Sequence, residues 1–109
     1  MVGSPTKTAG PRVTLEVLFR PQAEDEVLEV RRWYGGRRDG LGDEFAAEVA
    51  ALVARIVATP LAFQRVRGET RRGVLNRFPY AIYFRPTTKA IIVLAVHGRQ
   101  DPSRWQNRS

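Results

Sequence analysis

His97 is the only histidine in this 109-residue chain, and it is the only side chain here whose unperturbed pKa lies near neutrality. It closes an apolar run and stands two residues before Arg99. Upstream, Arg65, Arg67, Arg71 and Arg72 crowd around Glu69. Cleaving a phosphodiester through a neighbouring hydroxyl needs a base, an acid for the leaving oxygen, and cations for the charge that develops on phosphorus. His97, Arg65, Arg67, Glu69 and Arg72 supply those group types, with Glu69 as base and the arginines as a phosphate cradle. They are the candidate catalytic set for metal-independent cleavage. A histidine at the end of a strand is more often a structural hydrogen-bonding residue than a catalyst. An arginine cannot be the general base at physiological pH. One histidine, no cysteine and scattered carboxylates give no expectation of a metal or any other cofactor. The same count removes a thiolate nucleophile and a disulfide framework.

The charge is unevenly placed. Residues 1–59 carry 8 basic and 9 acidic side chains, a net of −1, whereas residues 60–109 carry 10 basic and 2 acidic, a net of +8. Sixteen of the 18 cations are arginine, the residue suited to bidentate contact with phosphate or carboxylate rather than to solubility alone. An anionic partner, nucleic acid or an acidic protein segment, is therefore expected on the second half. The plainer alternative is a solvated basic face. The candidate partner-binding residues are Arg71, Arg72, Arg77, Arg85, Arg99 and Arg104, with Trp105 as an aromatic beside them.

Length allows one domain and not two independent cores. An apolar content of 43% is normal for a globular protein and too high for a disordered one. No run approaches the roughly 18 apolar residues that span a bilayer, and the opening Met1-Val2-Gly3-Ser4-Pro5 lacks the apolar region of a signal peptide. A cytoplasmic location without membrane contact is the expectation.

The positioning elements follow from periodicity. Residues 1–12, rich in Gly, Pro, Ser and Thr, read as a flexible arm ahead of a single domain over 13–109. Val13, Leu15, Val17 and Phe19 alternate as a strand that Pro21 ends. Ala23, Val27, Val30 and Tyr34 then repeat at helical spacing over 22–34, with Gly35-Gly36 as the expected stop. Asp39 is a possible cap for a second helix over 41–59, whose stripe is Leu41, Phe45, Val49, Leu52, Val53 and Ile56 and whose terminator is Pro60. Three strands follow, over 71–78, 80–85 and 90–97; the last is apolar on successive residues and should lie inside the sheet. Phe78-Pro79-Tyr80 is expected to build a turn and pack on a helix, and Trp33 and Tyr34 to close the helical hairpin.

With these residues on it, that order resembles the RelE/ParE toxin superfamily of type II toxin–antitoxin systems, over about residues 13–105. The likeness is carried by VLFRPQAEDEV, by FxxxVxxLVxRIVxTP from Phe45 to Pro60, and above all by RFPYAIYFRPTTKAIIVLAVHGRQDPSRW from Arg77 to Trp105. It implies an α+β fold of order β-α-α-β-β-β, a helical hairpin packed on a small, mostly antiparallel four-stranded sheet. It also implies a cognate antitoxin with an acidic, partly disordered C-terminus, and an autorepressing complex that contacts DNA mainly through the antitoxin. One branch, RelE-like, cleaves messenger RNA on the ribosome; the other, ParE-like, includes plasmid stabilization proteins and poisons DNA gyrase without being a nuclease. Nuclease members typically carry an arginine in the segment resembling Tyr80 to Tyr83 and lysines in the loop resembling Phe63 to Thr70. Here no cation falls between Arg77 and Arg85, and that loop has only Arg65 and Arg67. Trp105 stands where many nuclease members have a tyrosine. These residues favour the ParE-like, gyrase-directed reading over ribosome-dependent RNA cleavage. A plain nucleic-acid-binding module is the third reading.

Overall fold

A computed structural model describes residues 15–98, so the 1–12 arm, Arg99, Arg104 and Trp105 lie outside the described residues. Strand β1 (Glu16–Phe19) leads into helix α1 (Pro21–Arg37) and then helix α2 (Leu41–Ala58). A short 3-10 turn (Pro60–Ala62) precedes strands β2 (Gln64–Arg67), β3 (Thr70–Val74), β4 (Tyr80–Pro86) and β5 (Ala90–Gly98). One sheet holds all five strands in the order β1-β5-β4-β3-β2. Only the β1–β5 pairing is parallel; the other three are antiparallel.

The expected order is present with one strand more. Gln64–Arg67 was expected as part of a basic loop, yet it pairs with β3 and makes the sheet five-stranded rather than four-stranded. Its apolar signal is a single valine, Val66, too little for periodicity to detect. The turn was the readable cue: Gly68 takes a φ of +53° at the first central position of the two-residue Gly68-Glu69 connection.

Helix α1 does not stop at Gly35-Gly36 but runs through both to Arg37. Each glycine costs a helix about 1 kcal/mol relative to alanine, and the burial of Tyr34 just before them offsets this. Its ring lies 4.8 Å from that of Phe78 and 5.8 Å from that of Phe45. Burial also pushes the Tyr34 phenol above its usual range, helped by Tyr80 and opposed by Arg37. The chain reverses at Gly40, whose φ of +84° makes it the cap of α2 in place of Asp39.

Both helices cover one face of the sheet. Ala23, Phe45, Val49, Leu52 and Ile56 meet Ile82, Phe84, Ile91, Val93 and Val96 in the main core. The α2 stripe is therefore the one its spacing indicates, with Leu41 and Val53 at its half-buried margin. Phe78 and Tyr80 join Tyr34 and Phe45 in an aromatic cluster that fixes the β3–β4 turn on the helices. Ala81, Tyr83 and Ala95, with Val66 and Val74, form a second, smaller cluster, which strand alternation places on the opposite face. Strand β5 lies between β1 and β4 and is buried along most of its length, as its unbroken apolar run requires.

Candidate functional site

Register assembles the cations that sequence spacing leaves scattered. Arg72 lies opposite Tyr83, which lies opposite Ala95. Arg85, two residues beyond Tyr83 on β4, falls on the same face by strand alternation, as does Thr70, two residues before Arg72 on β3, which faces Arg67 across the β2–β3 hairpin. Arg67, Arg72 and Arg85 thus share the face turned away from the helices, with Tyr83 among them. Diagonal neighbours such as Arg72 and Arg85 stand about 7–8 Å apart on such a ladder, within reach of one extended anion. Arg72 and Arg85 are half-buried, Arg67 is exposed and Tyr83 is fully buried. A register shift between Tyr83 and Phe84 leaves Leu94 without an opposite residue, a bulge of the kind that bends a sheet at its centre.

Other candidates are held elsewhere. Arg71 falls on the helix side, where its Nη1 donates to the carbonyl of Phe63 at 2.7 Å and to that of Leu61 at 3.4 Å. That guanidinium ties the end of the 3-10 turn to β3. Arg77 reaches Glu44 at 3.2 Å and Glu48 at 3.5 Å on α2. Arg65 donates from Nε to the carbonyl of Gly68 at 3.1 Å, and its guanidinium lies 3.9 Å from the Glu69 carboxylate, both at the tip of the β2–β3 hairpin.

His97 is only 3% exposed, and its Nδ1 lies 3.3 Å from an oxygen of Glu26 on α1. The other Glu26 oxygen accepts the backbone N–H of Val96 at 2.8 Å. One carboxylate therefore fastens the end of β5 to α1 and orients the imidazole. The ring centroids of His97 and Tyr83 are 6.5 Å apart. By contrast, β5 and β2 are separated by β4 and β3, three strand spacings or about 14 Å. His97 is not brought together with Arg65, Arg67 and Glu69; of the candidate catalytic set, Arg72 comes nearest through its row with Tyr83 and Ala95.

Sequence reasoning passed over Glu26, Glu48 and Tyr83. Burial alone would raise the Glu48 carboxyl, but it accepts the N–H groups of Asn76 (2.5 Å) and Arg77 (3.1 Å) beside the Arg77 guanidinium. Together these hold it below the usual carboxylate range. No local pattern marks these contacts, since Glu26 and Val96 are 70 residues apart and Glu48 and Asn76 are 28 apart. Trp33, expected to close the hairpin with Tyr34, is 54% exposed; Tyr34 alone fills that role.

No family model matches the chain, and no curated protein matches it in sequence. A solved structure, a chain of the chromosomal ParDE TA system from P. aeruginosa, superposes with a TM-score of 0.66 at 14% identity. The alignment covers 78% of this chain and 96% of that one. The fold is the RelE/ParE fold. In RelE/ParE terms the helical hairpin packs on one face of the mixed sheet, and the arginine-bearing face is the one the hairpin leaves uncovered. Among the described residues no helix is long and apolar enough to cross a membrane, and no three His, Asp or Glu side chains group as a metal site.

Proposed function

We propose that the chain is the toxin component of a type II toxin–antitoxin system, neutralised by a cognate antitoxin and acting by binding and poisoning DNA gyrase. The observation that carries the toxin–antitoxin reading is the superposition, over 78% of this chain, on a chain of a ParDE system; the gyrase target rests on the sequence resemblance to the ParE-like branch. The arginine face supports it: Arg67, Arg72 and Arg85 offer an acidic, partly disordered antitoxin segment both charge and, at Val66 and Val74, apolar footing. Arg99, Arg104 and Trp105 extend this proposed contact set beyond the described residues. The separation of His97 from Arg65, Arg67 and Glu69, together with its engagement by Glu26, speaks against a cleavage centre built from that set. In a supercoiling assay, purified protein inhibits or traps gyrase and the antitoxin reverses the effect. Full gyrase activity at saturating protein would overturn the target.

The convergence of Arg67, Arg72, Arg85 and Tyr83 on one face favours a second reading, ribosome-dependent cleavage of messenger RNA with phosphate held on that face. In that case His97→Ala, folded and still antitoxin-binding, loses toxicity. Full toxicity of this variant would exclude His97 chemistry.

A further inference from the structure

We propose that the groove between α1 and the outer edge of β5 is a docking slot for an extended, arginine-bearing segment of a partner protein. β1 pairs with β5 only from Ala90 to Val93. Past that point, among the described residues, no strand takes the Val96 N–H; the Glu26 carboxylate does, at 2.8 Å. Strand alternation turns the Val96 carbonyl and the Gly98 N–H to the same side, so the backbone of an added strand has an acceptor and a donor to meet.

The opposite wall is α1, and the groove between them encloses about 310 Å³. Glu29 and Trp33, one helical turn apart, stand on that wall. Glu26 is engaged with Val96 and His97, so Glu29 is the exposed carboxylate that meets an incoming cation. Trp33 is 54% exposed and already holds one guanidinium, that of Arg37, 4.6 Å from its ring centroid. An indole face takes arginine in this way because its π-cloud is electron-rich. A carboxylate, an aromatic ring and a strand edge in one groove select an extended basic segment. An acidic one is repelled, so the slot is chemically distinct from the arginine face, and it stands whether or not the toxin reading does.

The full chain carrying Trp105→Phe leaves Trp33 as the sole tryptophan reporter. It is titrated with the capped pentapeptide Val-Arg-Val-Arg-Val, with the same peptide bearing Glu in place of Arg, and with an N-methylated form of the first. The arginine peptide shifts Trp33 emission saturably, and Glu29→Gln weakens that binding about threefold to fivefold at low salt. The glutamate peptide gives no shift, and N-methylation abolishes binding. Equal responses to both charge types, unchanged affinity in Glu29→Gln, undiminished binding of the N-methylated peptide, or no saturable response would each overturn the proposal. So would a peptide-free, concentration-dependent shift with dimer formation in sedimentation, which would give the slot to a second copy of the chain.

Discussion

Gly42, in the first turn of α2, lies so close to the backbone carbonyl of Arg31 in α1 that a methyl group cannot be placed between them. The two helices cross at this contact, and the Arg31–Asp43 ion pair at 2.6 Å sits beside it. Gly42→Ala improves helix propensity by about 1 kcal/mol but must push two backbones apart. It is expected to cost about 1–3 kcal/mol net. Gly36→Ala adds its methyl to open space in the same hairpin, and it should stabilise by up to about 1 kcal/mol. Urea unfolding of both variants checks this; equal midpoints would refute the close crossing.

Phe45 is fully buried and touches Tyr34, Phe78 and Tyr80. Phe45→Ala removes the ring that joins α1, α2 and the β3–β4 turn, for a loss of about 3–5 kcal/mol. Thermal unfolding should show a midpoint at least several degrees lower. A loss below about 1 kcal/mol would mean the aromatic cluster does not hold the turn.

Glu48 clamps the β3–β4 turn to α2 as a carboxylate, with its pKa below the ordinary value of 4.5 in the folded state. Because the folded pKa is the depressed one, its contribution is complete above the unfolded value and is lost as pH falls through the folded value. Glu48→Gln should therefore cost about 1–2 kcal/mol at pH 7, while below the carboxylate range variant and parent should converge. Unfolding curves at pH 7 and at a series of steps down through the acid range read the difference, and a gap that never narrows as pH falls would remove the clamp's ionic character.

Arg71 and Arg72 are adjacent in sequence and opposite in consequence. Arg71→Ala frees the carbonyls of Leu61 and Phe63, so it should lower stability by about 1–3 kcal/mol. Arg72→Ala, on the arginine face, should leave stability within about 0.5 kcal/mol and, if the proposed function holds, weaken binding of the proposed antitoxin about tenfold or more. Calorimetric titration against the antitoxin, run beside unfolding, separates the two; the reverse pattern would refute the assignment of faces.

Local pattern alone sufficed for the first strand, both helical stripes, the buried last strand and the β-α-α-β-β-β order, because an element's period is set by which side chains recur on its inner face. The apolar positions of α2 needed no partner to be recognised. Charge asymmetry likewise located basicity in the second half, since composition adds without regard to fold. The end of α1 was settled elsewhere: two glycines signal a stop, but burial of Tyr34 against Phe45 and Phe78 carries the helix past them. Strand β2, with Val66 as its one apolar residue, exists because β3 offers it a ladder. The arginine face belongs wholly to tertiary structure. Pairing register sends Arg71 to one face and Arg72 to the other and makes Arg72 a diagonal neighbour of Arg85 on the β3–β4 ladder, while packing of α1 on the sheet places Glu26 against His97. Neighbours in sequence part because strand side chains alternate, and distant residues meet because hydrogen-bonded ladders, not spacing along the chain, decide what lies beside what.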